Sequence, residues 1–182
     1  MALQFTTSYL EDTLSLFRYY KGLAERAIAQ VTDEQLTAAF DEEMNSIAII
    51  VKHLSGNMLS RFSDFPAADG EKPSRDRDAE FADAPASREA ILGMWEQGWS
   101  CVFTALEPLT GADLAGVTTV RGERHSVMQA INRQLAHYAY HCGQIVFLAK
   151  QLQHKDWKSL SIPRGASGRF NQRVQSGEAS QR

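Results

Sequence analysis

The chain has 182 residues, 43% of them hydrophobic and 23% charged, a composition typical of one globular domain. Its net charge of -3 provides no basic surface for nucleic acid or anionic lipid, so neither is expected as a partner. Two cysteines cannot form a disulfide framework and indicate a reducing compartment. No apolar window approaches the roughly 18 residues that span a bilayer. Acidic Glu11 and Asp12 do not fit a signal peptide, so we expect a cytoplasmic protein.

Four segments show the apolar spacing of three and four residues that predicts amphipathic helices. They cover residues 8–30, 32–61, 87–108 and 126–153. The second and fourth segments open with the capping-box patterns Thr32-Asp33-Glu34-Gln35 and Ser126-Val127-Met128-Gln129. Residues 117–123 favour one small hairpin before the fourth helix. The pattern predicts an all-α fold, a four-helix bundle.

Connection lengths constrain how these helices are joined. The first two predicted helices are nearly contiguous, which predicts that they are antiparallel neighbours. The second and third are joined by PAADGEKPSRDRDAEFADAPA, residues 66–86. When extended, this segment reaches about 65 Å, more than the roughly 43 Å length of the second helix. We expect a crossover that lets those helices run parallel, and a loose surface loop between antiparallel helices is the alternative.

The C-terminal part of the chain has a different composition. After residue 153 glycine, serine, proline and basic residues replace the apolar period. The aromatic and aliphatic side chains between residues 157 and 170 are expected to pack against the helices. We therefore expect a four-helix-bundle domain over residues 1–170 and a flexible C-terminal tail over 171–182.

The stretch HYAYHCGQI, residues 137–145, places His137 and His141 one helical turn apart, so both imidazoles face one point. A divalent metal requires this geometry of two ligands on a helix. His53, in VKHLSGNM on the second predicted helix, is the candidate third ligand, because an unpaired imidazole beside an apolar stripe is costly. Cys142 points away from this face and is not an expected ligand. Catalytic zinc centres use three protein ligands and leave one position open.

The ordinary alternatives are a solvent-facing histidine pair or core histidines bonded to carbonyl groups. For His125, at the start of the fourth helix, we expect a capping or surface role. His154 lies in the last turn, where a cation suits the helix dipole. Trp95 and Trp99 are expected in the core, with the face of a homodimer as the alternative.

Three arginines lie near the predicted metal site in the sequence. Arg133 comes one turn before the histidine pair, and an anionic substrate or a surface salt bridge would each explain it. Arg121 and Arg124 precede the fourth helix, where they would line the mouth of a cavity or be solvated in a turn. The salt bridge and the solvated turn are the ordinary outcomes for such residues.

The pattern of histidines resembles a known superfamily. A mid-helix histidine in the second helix, followed by H-x-x-x-H and GQI in the fourth, is similar to the DinB superfamily of four-helix metalloproteins. INRQLAHYAYHCGQIVFLAK is especially close, and LSIPRGASGRFN resembles the closing segment of one uncharacterised branch. The resemblance covers about residues 5 to 170.

The resemblance implies a fold, a metal and a class of activity. The fold is a bundle with a long crossover between the second and third helices. The metal is divalent, zinc or nickel, and its ligands are His53, His137 and His141. Some superfamily members are thiol transferases or isomerases that use bacillithiol, mycothiol or glutathione.

Three functions follow as hypotheses. The first is a metal-dependent transferase with a small-molecule substrate and a low-molecular-weight thiol, since a metal on neutral imidazoles lowers the pKa of a thiol. The second is a metal-dependent hydrolase, which needs a carboxylate near the metal, and Asp64 lies about three turns from His53. The third is a non-enzymatic, stress-linked metal-binding or interaction protein. A structural metal usually has four protein ligands, and only three are visible.

Overall fold

The computed structural model of the chain describes residues 5–85 and 87–179. The helices of these residues are α1 (Phe5–Ile28), α2 (Asp33–Thr37), α3 (Ile47–Phe62), α4 (Arg88–Leu106), α5 (Val127–Gln153) and α6 (Ser167–Gln175). One antiparallel hairpin, β1 (Val117–Val120) and β2 (Glu123–Ser126), precedes α5, with Val117 opposite Ser126. The prediction of an all-α fold with one small hairpin is confirmed for this part of the chain. Among the same residues, no helix is both long enough and apolar enough to cross a membrane.

The long helices α1, α3, α4 and α5 share one hydrophobic core, in which α1 packs mainly against α5 and α3 mainly against α4. Trp99 of α4 lies at its centre, with its ring 6.0 Å from that of Phe17 and 5.6 Å from that of Tyr138. Trp95 and Trp99 are 1% and 0% exposed, so both tryptophans belong to the core and not to a dimer face.

The predicted second helix is broken in the structure. Between α2 and α3, residues 38–46 are not helical, and Phe40 and Met44 are 49% and 40% exposed instead of buried. Ser46 starts a new helix here instead of continuing the first one. Its backbone is extended, and its side chain accepts a hydrogen bond from the N–H of Ile49. The prediction of one helix over 32–61 was therefore wrong. The main neighbour of α1 also differs from the prediction, because α1 packs mainly against α5 and α3 mainly against α4.

Contacts between α3 and α4 show that these helices run in the same direction. Ser55 Oγ donates to the carbonyl oxygen of Met94 at 2.8 Å. Just beyond the end of α3, Ser63 Oγ lies 3.8 Å from Cys101 Sγ. The contacts advance together along both helices, so the connecting segment of residues 63–87 has to return along the length of α3.

This connecting segment packs on α3 and on the hairpin. Lys52 Nζ donates to the carbonyl oxygens of Ala79 and Asp83 at 2.6 and 3.0 Å. The carboxylate of Asp69 accepts hydrogen bonds from two N–H groups of the hairpin turn, at 2.9 and 2.8 Å. The segment is held at several points, unlike a loose surface loop.

The residues that follow α5 return to α1. Gln30 and Lys158 exchange two hydrogen bonds, of 3.1 and 2.8 Å, and Trp157 and Leu160 pack against the core. The helix α6 then spans residue 170, where we expected the domain to end. The division of the chain at that residue stays a prediction.

Gly98 of α4 permits the close approach of α3. A Cβ at this position would lie 2.9 Å from Met58 Sδ and 3.1 Å from the Cα of Ser55. Gly98→Ala should lower the free energy of unfolding by about 1–3 kcal/mol, the ordinary cost of overpacking. Urea unfolding followed by circular dichroism measures this change.

The matched control for this prediction is Gly93→Ala on the same helix. A Cβ at Gly93 meets nothing within 4 Å, so the better helix propensity of alanine should raise the free energy of unfolding by about 0.5–1 kcal/mol. Equal shifts in the two variants would contradict the close packing of α3 on α4 at Gly98.

Candidate metal centre

Three histidines from two helices meet in the structure. His53 lies on α3, and His137 and His141 lie one turn apart on α5. Each offers one ring nitrogen, and the three nitrogens lie within 4.8 Å of one another. The Nε2 atoms of His53 and His137 are 3.4 Å apart. The structure therefore brings together the three side chains that the sequence singled out.

The arrangement fits a divalent transition metal. A tetrahedral centre with metal–nitrogen bonds of about 2.1 Å holds its ligand atoms about 3.4 Å apart, which equals the observed separation of the first pair. Imidazole nitrogen is a good ligand for zinc and nickel. Cys142 is fully buried in the core and lies outside the cluster, and burial raises the pKa of its thiol to about 12.

Burial keeps the α5 imidazoles neutral. It lowers the pKa of His137 to about 3, with smaller contributions from the neighbouring histidines, Arg75 and Arg61. It lowers the pKa of His141 to about 4, with a further contribution from His53. Both rings are unprotonated at pH 7, and only an unprotonated ring nitrogen can bind a metal.

Hydrogen bonds on the outer side of two rings fix their tautomers. His53 Nδ1 lies 2.8 Å from Glu80 Oε2, and because a carboxylate only accepts, Nδ1 donates to it and Nε2 is the nitrogen that faces the cluster. His141 Nδ1 lies 2.7 Å from Gln144 Oε1. The same amide donates through Nε2 to the Tyr140 hydroxyl at 3.0 Å, so its oxygen is left to accept from the ring.

Glu80 comes from the segment between α3 and α4, in a 3-10 turn. Arg75 donates to its two oxygens from Nε and Nη2, at 2.7 and 2.9 Å. Burial raises the pKa of Glu80, but hydrogen bonds from His53 and Arg75 outweigh it and hold the pKa below its usual range. Gly56, one turn after His53, leaves room for this contact, because a Cβ there would lie 2.8 Å from Glu80 Cδ.

The sequence did not predict the role of Glu80 or Arg75. Both lie in a stretch without apolar periodicity, SRDRDAEF, where no local pattern sets the direction of a side chain. The one available signal was the length of the crossover, which is sufficient to bring a carboxylate to the metal site. Asp64, the acidic residue considered from the sequence, is exposed and lies 3.8 Å from Lys72 Nζ.

A cavity of about 300 Å³ opens beside the three histidines, a volume suited to a small molecule. Five arginines line it, namely Arg61, Arg75, Arg77, Arg121 and Arg133. Arg121 and Arg133 were among the arginines that we considered near the site from the sequence. Arg124, His125 and His154 take no part in the cavity or the histidine cluster.

These helices and this histidine cluster define a helical protein with a candidate three-histidine metal centre. Residues 4–166 match the family described as protein of unknown function (DUF1572), and the chain belongs to that family. The matched region includes all three histidines and Glu80. Comparison with curated proteins and with solved structures gives no match.

Replacing Glu80 should weaken metal binding. Glu80→Gln exchanges a charged acceptor for a neutral amide, so the His53 ring is held less firmly and its Nε2 becomes less basic. Changes to such outer partners typically lower metal affinity by about 10- to 100-fold. Competition with a chromophoric zinc chelator measures the affinity.

Glu71→Gln is the matched control for this change. Glu71 belongs to the same network, accepting from Arg61 at 2.9 Å and Arg121 at 3.0 Å, but it does not contact a histidine. This variant should lose much less zinc affinity than Glu80→Gln. Similar losses in both variants would mean that Glu80 acts only through the general charge of the network.

The metal-free protein should lose stability as pH falls from about 6.5 to 5. In this window the unfolded chain takes up protons on imidazole, whereas His137 and His141, with pKa values of about 3 and about 4, remain neutral in the fold. The unfolded state binds more protons, so acid favours it. Urea unfolding at several pH values gives the slope of the unfolding free energy against pH, which reports the protons taken up on unfolding. In His137→Gln this uptake should be smaller by about one proton. An unchanged slope would contradict a depressed pKa at this residue.

Proposed function

We propose that the chain is a DinB-type four-helix bundle in which His53, His137 and His141 hold a divalent transition metal, zinc or nickel. We further propose that it is a metal-dependent transferase that acts on a small molecule with a low-molecular-weight thiol. The observation that carries the proposal is the convergence of three imidazole nitrogens within 4.8 Å, beside a cavity of about 300 Å³.

The helix arrangement supports the DinB-type architecture. The helices α3 and α4 run in the same direction and are joined by a long returning segment, as the resemblance implies. The histidines occupy the positions that the resemblance assigns to ligands, one on α3 and two on α5.

When bound, such a metal supplies a Lewis acid that lowers the pKa of a coordinated thiol. The residues of the chain then have positioning roles. Glu80 and Gln144 hold the rings of His53 and His141 with their Nε2 atoms unprotonated. The cavity would hold the thiol sulfur close to the electrophilic carbon of the second substrate. The sulfur–carbon bond forms, the leaving group departs with its electron pair, and the thiol proton goes to solvent.

The surroundings of the cluster favour transfer over hydrolysis. A hydrolase needs a general base that can accept a proton from water. Glu80 is the carboxylate in contact with the cluster, and its oxygens already accept from His53 and Arg75. Its lowered pKa makes it a weak base. A purely structural metal is also disfavoured, because three ligands beside an accessible cavity leave a position open.

Metal analysis of the untagged protein tests the first part of this proposal. We expect about one zinc or nickel ion per chain by inductively coupled plasma mass spectrometry. His137→Ala should reduce the metal content at least tenfold, whereas the control His125→Ala, outside the cluster, should retain it. A wild-type protein that takes up neither metal would remove the proposal altogether.

The metal-loaded protein then tests the transferase part. Wild type and His137→Ala are compared in the conjugation of monochlorobimane to bacillithiol, mycothiol and glutathione, in which a carbon–sulfur bond replaces a carbon–chlorine bond. The conjugation rate of the wild type should exceed that of the variant with at least one of the three thiols. Full metal content without a rate above that of the variant would instead support a non-enzymatic metal-binding protein.

A further inference from the structure

The cavity beside the histidines is positively charged, although the chain as a whole carries a net charge of -3. Five guanidinium groups line it, and within residues 5–85 and 87–179 only two carboxylates pair with them. Glu71 pairs with Arg61 and Arg121, and Glu80 pairs with Arg75. The charge of the cavity is therefore opposite in sign to that of the chain.

Two of these arginines form no ion pair with a described carboxylate. Arg77 lies over the ring of Phe81, with its guanidinium carbon 5.1 Å from the ring centroid. Arg133 lies on α5 one turn before His137, and no carboxylate among residues 5–85 and 87–179 pairs with it. Neither guanidinium is needed to balance a charge of the fold. Both line the cavity that contains the three histidines.

Two residues of the lining each also carry a buried polar atom that has no partner among the described residues. These atoms are Nε of Arg61, a residue 6% exposed, and Oε1 of Gln134, a residue 4% exposed. Buried donors and acceptors are almost always bonded in folded proteins. Neither atom is accessible to a molecule in the cavity, so the case for a bound anion rests on the accessible guanidinium groups.

We propose that the small molecule bound beside the three histidines carries an anionic oxygen group, a carboxylate or a phosphate. Arg77 and Arg133 bind this group from the exposed side of the cavity. This inference rests on the proposed function, since it names the substrate class of the same site.

The chemistry of guanidinium favours this ligand over a neutral one. A guanidinium presents parallel N–H donors that match the paired oxygens of carboxylate and phosphate. A positive cavity in an acidic protein also raises the local concentration of anions near the site. A neutral substrate would leave Arg77 and Arg133 without a partner.

Paired probes that differ in one charge test the inference. Isothermal titration calorimetry of the zinc-loaded full chain compares mercaptopropionate with mercaptopropanol, which have the same thiol but differ in the acid group. Hydrogen bonds to charged groups contribute enough for wild type to bind the acid roughly tenfold more tightly than the alcohol. Mercaptoethylphosphonate serves as a third probe. Whichever of the two acids binds more tightly shows whether the site prefers a carboxylate or a phosphate group.

The double variant Arg77→Gln/Arg133→Gln should lose this preference for the acid and keep its affinity for the alcohol. The matched control is Arg124→Gln, which removes one positive charge from an exposed residue of β2 outside the cavity lining. This control should keep the tenfold preference. Raising the salt concentration should weaken binding of the acid and leave that of the alcohol unchanged.

The outcomes separate this inference from the proposed function. Equal affinity of wild type for acid and alcohol overturns the inference while the metal and thiol proposal stands. A preference that survives in the double variant also overturns it. If the chain takes up no metal, titration of the metal-free protein with inorganic phosphate decides the matter. Phosphate binding that the double variant loses supports the anion site, and absence of binding to wild type overturns it.

Discussion

The candidate site depends on the contact between a buried imidazole and a buried carboxylate. His53 is 4% exposed and Glu80 is 6% exposed, and either group alone would be costly to bury. Together they satisfy each other, and Arg75 supplies the two further hydrogen bonds that the carboxylate needs. The segment between α3 and α4 is therefore part of the site. It carries both groups that hold the His53 ring in place.

The packing of the core sets the orientation of the other two histidines. Tyr138 of α5 is fully buried, with its ring 5.8 Å from that of Phe17 and its hydroxyl donating to Asn57 Oδ1 at 3.1 Å. Successive residues of a helix are about 100° apart around its axis. Burying Tyr138 and Cys142 on one side of α5 therefore turns His137 and His141 toward the cavity. The same apolar contacts that stabilise the fold also bring the site together.

The sequence predicted those features that follow from local spacing. The helical period identified α1, α4 and α5 almost to their ends, and the spacing of four identified the histidine pair. The periodic signal failed at Phe40 and Met44. Both residues keep the helical spacing, but the chain is not helical there, and Ser46 caps the start of a new helix, α3. It could not place Glu80, because the path of a segment without periodicity is decided by tertiary ion pairs.

The positive cavity and the neutral histidines are consistent with each other. Burial is the main cause of the low pKa of His137, and the nearby Arg75 and Arg61 lower it further, so cations around the site help to keep this ligand unprotonated. A divalent ion added beside five arginines would nevertheless meet electrostatic repulsion, which Glu71 and Glu80 offset only in part. An anionic substrate would supply the remaining negative charge. Metal and substrate would then each favour the binding of the other, because each reduces the charge imbalance that opposes its partner.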